Sequence, residues 1–285
     1  DDSKGFQPIT EEQAITSHYP RFCEAARYWM QWAGIPDSIY DLNDGLNDYV
    51  DDYKCRGLWV NYLAGGSSVI PEEKGLSIPI DLSFAFHTDA GTTLNDKIVG
   101  TLAIYDSYKY NGKFPNGIDR IANRQLADLI QSSIVNDVRR QCEPIWQRRQ
   151  MWNKSYFEAW MPQVPAMLLE LLSHQNFADM RYGLDPRVRF IISRAIYKGM
   201  LRFLAQLNHT EYVVQPLPVN HMMITALEGN PIQISWKPTV DSLEATATPN
   251  RYIVYTRTNN DGWDNGVIVK GEDGLPKVAS WGAGS

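Results

Sequence analysis

Glu170 sits in an otherwise apolar run from Pro165 to Asn176, Pro-Ala-Met-Leu-Leu-Glu-Leu-Leu-Ser-His-Gln-Asn. A carboxylate in such a run is costly unless it is paired, metal-bound or chemically active. Flanked by leucines, it is placed to act as a proton acceptor, because desolvation makes a carboxylate more basic. The plainer reading is a strand-end glutamate that reaches water or an arginine. His87 ends another apolar run, from Ile78, while His18 precedes the first helical pattern and Glu24 lies in its opening turns. Two histidines and a carboxylate form a catalytic zinc set with a fourth position left for water. Against this stands the ordinary reading of each histidine as a hydrogen-bonded side chain, which also covers His209 and His221.

These residues need elements to hold them. Phe22, Ala25, Ala26, Trp29, Met30 and Ala33 recur at helical steps, and Gly34 with Ile35-Pro36 ends the pattern. Residues 38–42 read as a short strand, the acidic and Asn-rich stretch 41–54 as a surface loop, and 56–63 as a short helix closed by Gly65-Gly66-Ser67-Ser68. Strands are expected over 78–87, 98–105 and 164–172, and amphipathic helices over 119–142 and from Asp185-Pro186 to Leu204. This alternation predicts an α/β domain over residues 1–212, with a mostly parallel sheet flanked by helices. In such sheets ligands gather at the C-terminal strand ends, where His87 lies. Beyond a linker at 213–218, short strands at 222–226, 232–236 and 252–256 predict a small all-β, sandwich-like module over 213–285.

Composition narrows the function classes. The chain has 285 residues, 44% apolar and 21% charged, as in a soluble globular protein of one or two domains. A net charge of −6 gives no general reason to expect nucleic acid or an anionic membrane, which usually call for a basic face, whereas the many Trp and Tyr residues suit a glycan or peptide. Cys23, Cys55 and Cys142 are widely spaced with no CxxC pair, so free thiols are expected. No window reaches the ~18 consecutive apolar residues of a membrane span. The N-terminal Asp-Asp-Ser-Lys-Gly lacks the apolar core of a signal peptide, so the chain reads as mature or trimmed.

Taken in order, residues 17–205 resemble the zinc-dependent N-acetylmuramoyl-L-alanine amidase family. That family holds zinc with a histidine, a glutamate at the start of the first helix and a histidine in a Ser-Ile-His-Ala-Asn segment. A later strand supplies a catalytic glutamate with Asn six positions on. The matching residues here are His18, Glu24, His87 within Ala85-Phe86-His87-Thr88-Asp89-Ala90, then Glu170 and Asn176. The family's Arg with Asn five residues later is matched by Arg56 and Asn61, and its closing element by Asp185-Pro186 and Ala195-Ile196-Tyr197-Lys198-Gly199. The chain departs from the pattern with Ser17-His18-Tyr19-Pro20 in place of Gly-His-Gly-Gly, and with Glu24 only six residues on. It departs again at Leu172-Ser173 in place of Gly-Phe, and by an insertion around 65–75.

The resemblance implies an exported hydrolase that uses Zn2+ on peptidoglycan or its muropeptides. Its target would be the amide between N-acetylmuramic acid and L-alanine. Glu170 would be the proton shuttle, with Arg56, His174 and Asn176 near substrate or transition state. Ile-Ser-Trp-Lys-Pro and Tyr-Ile-Val-Tyr-Thr-Arg resemble the first half of a fibronectin type III module, which usually needs ~100 residues. Two other function classes stay open: a polysaccharide lyase acting on an acidic glycan, and a catalytically inactive cell-wall or glycan-binding module.

Overall fold

The leucine-rich run around Glu170 can be an interior strand because both of its faces find apolar cover. The computed structural model describes residues 18–66, 70–90, 97–228, 232–270 and 277–281. The chain divides between His209 and Thr210 into two units. The first contains, in chain order, α1 (Ala26–Trp32), α2 (Asp37–Tyr40), α3 (Asp48–Ala64), β1 (Ser83–Asp89), β2 (Leu102–Tyr105), α4 (Ile121–Gln141), β3 (Trp152–Asn153), α5 (Phe157–Trp160), β4 (Ala166–Ser173), α6 (Phe177–Gly183) and α7 (Pro186–Leu207).

The strands form one sheet in the order β1-β4-β2-β3. The expectation of a mostly parallel sheet needs correcting to a mixed one. β1 runs parallel to β4 and β3 parallel to β2, but β2 and β4 are antiparallel. The cause is the short link between β3 and β4. Its α5 is a single turn, about 6 Å long, too short to carry the chain back along a strand, so β4 starts near the end where β3 stops.

Two local expectations also change. Residues 37–40 are helical and not a strand, and the acidic loop expected over 41–54 ends at Asn47, where α3 begins, capped by Asn47 accepting from Val50 N at 3.1 Å. Helix suits this acidic stretch because Asp48 and Asp51 fall at the positive end of its dipole. The buried Arg27 draws the cluster together, with Asp41 at 3.3 Å, Asp51 at 3.1 Å and Asp48 also in contact.

The sheet's two faces are covered differently. Met167, Leu169 and Leu171 of β4 join the main core with Leu126, Ile130 and Ile134 of α4 and Ile192 and Ala195 of α7. Leu168, by contrast, clusters with its register partner Ala85 and with Leu102 and Ile104. Side chains alternate along a strand, so Glu170 shares the face of Leu168, and His87 shares that of Ala85.

Close approach of α4 and α7 depends on Gly199, where an added Cβ would meet Ile130 Cα at 2.7 Å and Cγ1 at 2.9 Å. Gly199→Ala is expected to lower stability by about 1–3 kcal/mol through overpacking, read as a lower denaturant midpoint with an unchanged slope.

The second unit contains β5 (Asn220–Ala226), β6 (Ile232–Lys237), β7 (Arg251–Val254), β8 (Val267–Lys270) and β9 (Lys277–Trp281). They pair antiparallel as a three-stranded sheet, β5-β6-β9, and a two-stranded one, β7-β8. Trp236 is buried and meets Tyr252 edge-on at 5.3 Å. The stretch expected as a linker is anchored: Val214 is fully buried and donates its N–H to Thr246 Oγ1 at 3.0 Å.

Candidate active site

His87 and Glu170 are register partners on neighbouring parallel strands, near the C-terminal ends of both. Adjacent strands lie about 4.8 Å apart, so the two side chains leave the same face of the sheet side by side. Oε2 of Glu170 is buried from solvent. Three further charged side chains join them. Glu158 of α5 lies with its Oε2 2.9 Å from His87 Nε2 and 3.7 Å from an Arg56 guanidinium nitrogen. Arg56, on α3, also pairs with Asp52 one turn earlier. The result is a continuous chain, Asp52–Arg56–Glu158–His87, ending beside Glu170.

The charges hold one another in place. Burial works against the Arg56 charge, but Glu158, and after it Asp52, outweigh this and raise the guanidinium's pKa above its ordinary value. The neighbouring Cys55 thiol goes up to about 12, first through burial and then through the Asp52 carboxylate. It therefore stays protonated at neutral pH and unreactive. A thiol-specific disulfide reagent at pH 8 is expected to label exposed Cys23 quickly and Cys55 only after denaturation, which peptide mapping by mass spectrometry would show.

Hydrogen bonds anchor the supporting elements. Asn61 of α3 donates to Met161 O at 3.1 Å and accepts from Gln163 N at 2.8 Å, tying α3 to the segment after α5. Arg120 donates to Trp160 O at 3.0 Å and so fixes the end of α5. Beyond Glu170, the fully buried Asp179 accepts from the backbone N–H groups of Val99, Gly100 and Ser173 at 2.9–3.1 Å. It locks the C-terminal end of β4 and the approach to β2.

The other expected site residues fall elsewhere. His18 is exposed in the left-handed region at φ 63°, and Glu24 is exposed where it closes the 3-10 turn Arg21–Cys23. The described residues contain no group of three or more His, Cys, Asp or Glu side chains that could hold a metal. Among the described residues, then, His18, Glu24 and His87 do not come together as the ligand group that zinc needs. The physical reason lies in α1, whose buried side is spent on Met30 and on Arg27 with its aspartates, leaving the turn before it in solvent.

Asn176 is likewise not poised for a substrate. It is buried, caps α6 by accepting from Asp179 N at 2.9 Å, and donates to Lys97 O at 3.1 Å. His174 is exposed on the rim, with Nδ1 3.0 Å from Thr88 Oγ1, next to the Asp89–Arg149 ion pair.

With the geometry in place, the chain can be set against known proteins. No protein-family model matches it, and no curated protein matches it. Solved amidase structures do. The CwlD amidase from Clostridioides difficile, in complex with the GerS lipoprotein, is 16% identical with a TM-score of 0.40, over 63% of this chain and 81% of that one. An N-acetylmuramoyl-L-alanine amidase from Clostridium difficile 630 is 16% identical at 0.39, over 59% and 78%. AmiC2 of Nostoc punctiforme is 12% identical at 0.34 over 48% of this chain, which spans 62% of that amidase's length.

Glu158 and Asp52 escaped the sequence reading. Glu158 belongs to a four-residue helix, shorter than any window in which periodicity can show. Its one signal is a charge set between aromatics in Tyr156-Phe157-Glu158-Ala159-Trp160. Asp52 lay inside the stretch read as a surface loop.

Proposed function

We propose that this chain is an amide hydrolase acting on peptidoglycan or its muropeptides, at the bond between the lactyl group of N-acetylmuramic acid and L-alanine. The observation that carries the reading is the register pairing of His87 with Glu170 on one face of the sheet, with Glu158 2.9 Å from His87. In this reading Glu170 takes a proton from the water that attacks the amide carbonyl carbon, and returns it to the leaving nitrogen as the C–N bond breaks. Arg56 supplies a fixed positive charge that balances Glu158, while Glu158 holds the imidazole ring in position. Zinc bound by His18, Glu24 and His87 is not part of the reading, because the described residues do not gather those three.

Peptidoglycan lies outside the cytoplasmic membrane, so the reading includes export. Among the described residues no helix is long and apolar enough to cross a membrane. The C-terminal unit is read as a fibronectin type III-like module, on the strength of its two small antiparallel sheets and the buried Trp236.

Product analysis on purified peptidoglycan tests the activity. The expected products are free N-terminal L-alanine on the stem peptide and an intact lactyl carboxylate on the sugar. An unsaturated, ultraviolet-absorbing sugar would instead establish a lyase, and no soluble product would leave a binding module.

A further inference from the structure

A second charged pair crosses the sheet just beyond His87 and Glu170. Asp89 lies two residues past His87 on β1, and its Oδ2 accepts from Arg149 Nη1 at 2.5 Å. Arg149 starts from the far side of the sheet, where its backbone N–H donates to Thr101 O at 3.0 Å, one residue ahead of β2. With the strands in the order β1-β4-β2-β3, its side chain reaches Asp89 by passing over the end of β4, the strand that carries Glu170.

The neighbours of Arg149 fix the face on which it does so. Trp152 is the register partner of Ile104, and Ile104 clusters with Ala85 and Leu168 on the face of His87 and Glu170. The Arg149 guanidinium lies over the Trp152 ring, 5.8 Å from its centroid. The preceding residue points the other way, since Arg148 bonds Asp128 and Gln131 of α4 behind the sheet. Arg149 is thus a cation on the face of the proposed site, with its side chain 23% exposed. Among the described residues only its Nη1 is engaged by a carboxylate. A guanidinium offers five N–H donors in a planar fork, so the pairing with Asp89 orients the group and leaves it an edge for a second carboxylate.

Spacing identifies that carboxylate. Two strand residues advance about 6.6 Å, which separates the Asp89–Arg149 pair from the row of His87 and Glu170. In an extended stem peptide the α-carboxylate of the residue after L-alanine lies two residues, about 7 Å, from the carbonyl carbon of the cleaved amide. On the other side of that bond the lactyl carboxyl is consumed in the amide, so the sugar offers no anion to match.

We propose that Arg149 is a specificity residue that binds the free α-carboxylate of the second stem-peptide residue while the amide of L-alanine lies against His87 and Glu170. The proposal rests on the amidase reading for the position of the scissile bond. It adds a preference that the reading alone does not contain: stem peptides amidated at this carboxyl bind less tightly.

The test is calorimetric titration of the full 285-residue chain with two synthetic ligands, N-acetylmuramoyl-L-alanyl-D-glutamate capped as its γ-methylamide and the same compound with an α-carboxamide. They differ only at the α-carboxyl. Wild type is expected to bind the carboxylate at least about tenfold more tightly, the worth of one hydrogen bond to a charged group. Arg149→Gln is expected to erase the preference and leave affinity for the carboxamide unchanged. Arg149→Lys keeps the charge without the fork and is expected to retain a preference of roughly threefold. Should the variants not fold as judged by circular dichroism, wild type in rising salt is the second measurement, because screening should shrink the preference of a part-exposed cation. Equal binding of the two ligands by wild type, a preference unchanged in folded Arg149→Gln, or one that salt leaves untouched would overturn the proposal.

Cleavage of the same ligands is followed separately. Carboxylate-dependent binding without cleavage supports the anion site and removes the amidase reading. Equal cleavage of both ligands removes the role of Arg149 and keeps the enzyme, and binding of neither removes both.

Discussion

Glu170→Gln lowers amide hydrolysis by about 10²- to 10⁴-fold, the usual contribution of a positioned acid–base group, and leaves the fold unchanged. The substitution is nearly isosteric and preserves the apolar contacts of β4. It removes only the capacity to accept and return a proton. Because the proposed role is proton transfer, muropeptide affinity and any bound metal should be unaffected. The checks are release of N-terminal L-alanine, calorimetric affinity and metal content on the same preparation. Retained turnover, or metal lost together with turnover, would show that Glu170 has another task. A parallel Glu158→Gln protein should keep Glu170 chemistry but misplace the His87 ring, giving a smaller loss of turnover.

Asp137→Ala is expected to destabilise the first unit by about 3–5 kcal/mol, since it strands the Lys198 ammonium in the core without its carboxylate. Lys198 Nζ lies 2.6 Å from Asp137 Oδ2, with side-chain exposures of only 4% and 10%. The pair bridges α4 and α7 behind the sheet, away from the face of His87 and Glu170. A fully buried ion pair is not itself strongly stabilising, because desolvation opposes most of its attraction. The sharper expectation therefore concerns the double variant: Asp137→Leu with Lys198→Met should recover most of the loss. Denaturant unfolding followed by the helical far-ultraviolet signal reports on this, since the helices belong to the first unit. Additive losses in the double variant would show that the two residues act independently.

How far these features could be read from sequence depends on the length of their signal. α4 and α7 span 21 and 22 residues with sustained apolar stripes, and both stand where periodicity places them. β4 is a run of apolar residues too short for a helix core and lies where expected, whereas β1 overlaps the expected 78–87 only from Ser83 and runs on to Asp89. What escaped was set by contacts distant in sequence. The direction of β2 relative to β4 follows from the shortness of α5, and the helical state of 48–54 follows from aspartates gathering on Arg27. At the site, an apolar run exposes Glu170 and a strand end exposes His87, but Glu158 reaches His87 across 71 residues of chain from an element with no pattern of its own. His18 and Glu24 were matched by order along the chain, and order carries no information about whether a turn faces the sheet or solvent.

The interior position of β4 also sets the order of assembly during synthesis. Its neighbours β1 and β2 end at Asp89 and Tyr105, whereas β4 begins at Ala166. Neither can acquire a central partner until β4 has also left the ribosome, about 60 residues after β2, and pairings over such separations form slowly. Until then β1 presents unpaired backbone to solvent along the edge that β4 later covers, the kind of surface on which nascent chains aggregate. A ribosome-bound intermediate stopped before residue 166 should thus be a chaperone client, and the step that releases it is the same step that first brings His87 and Glu170 side by side.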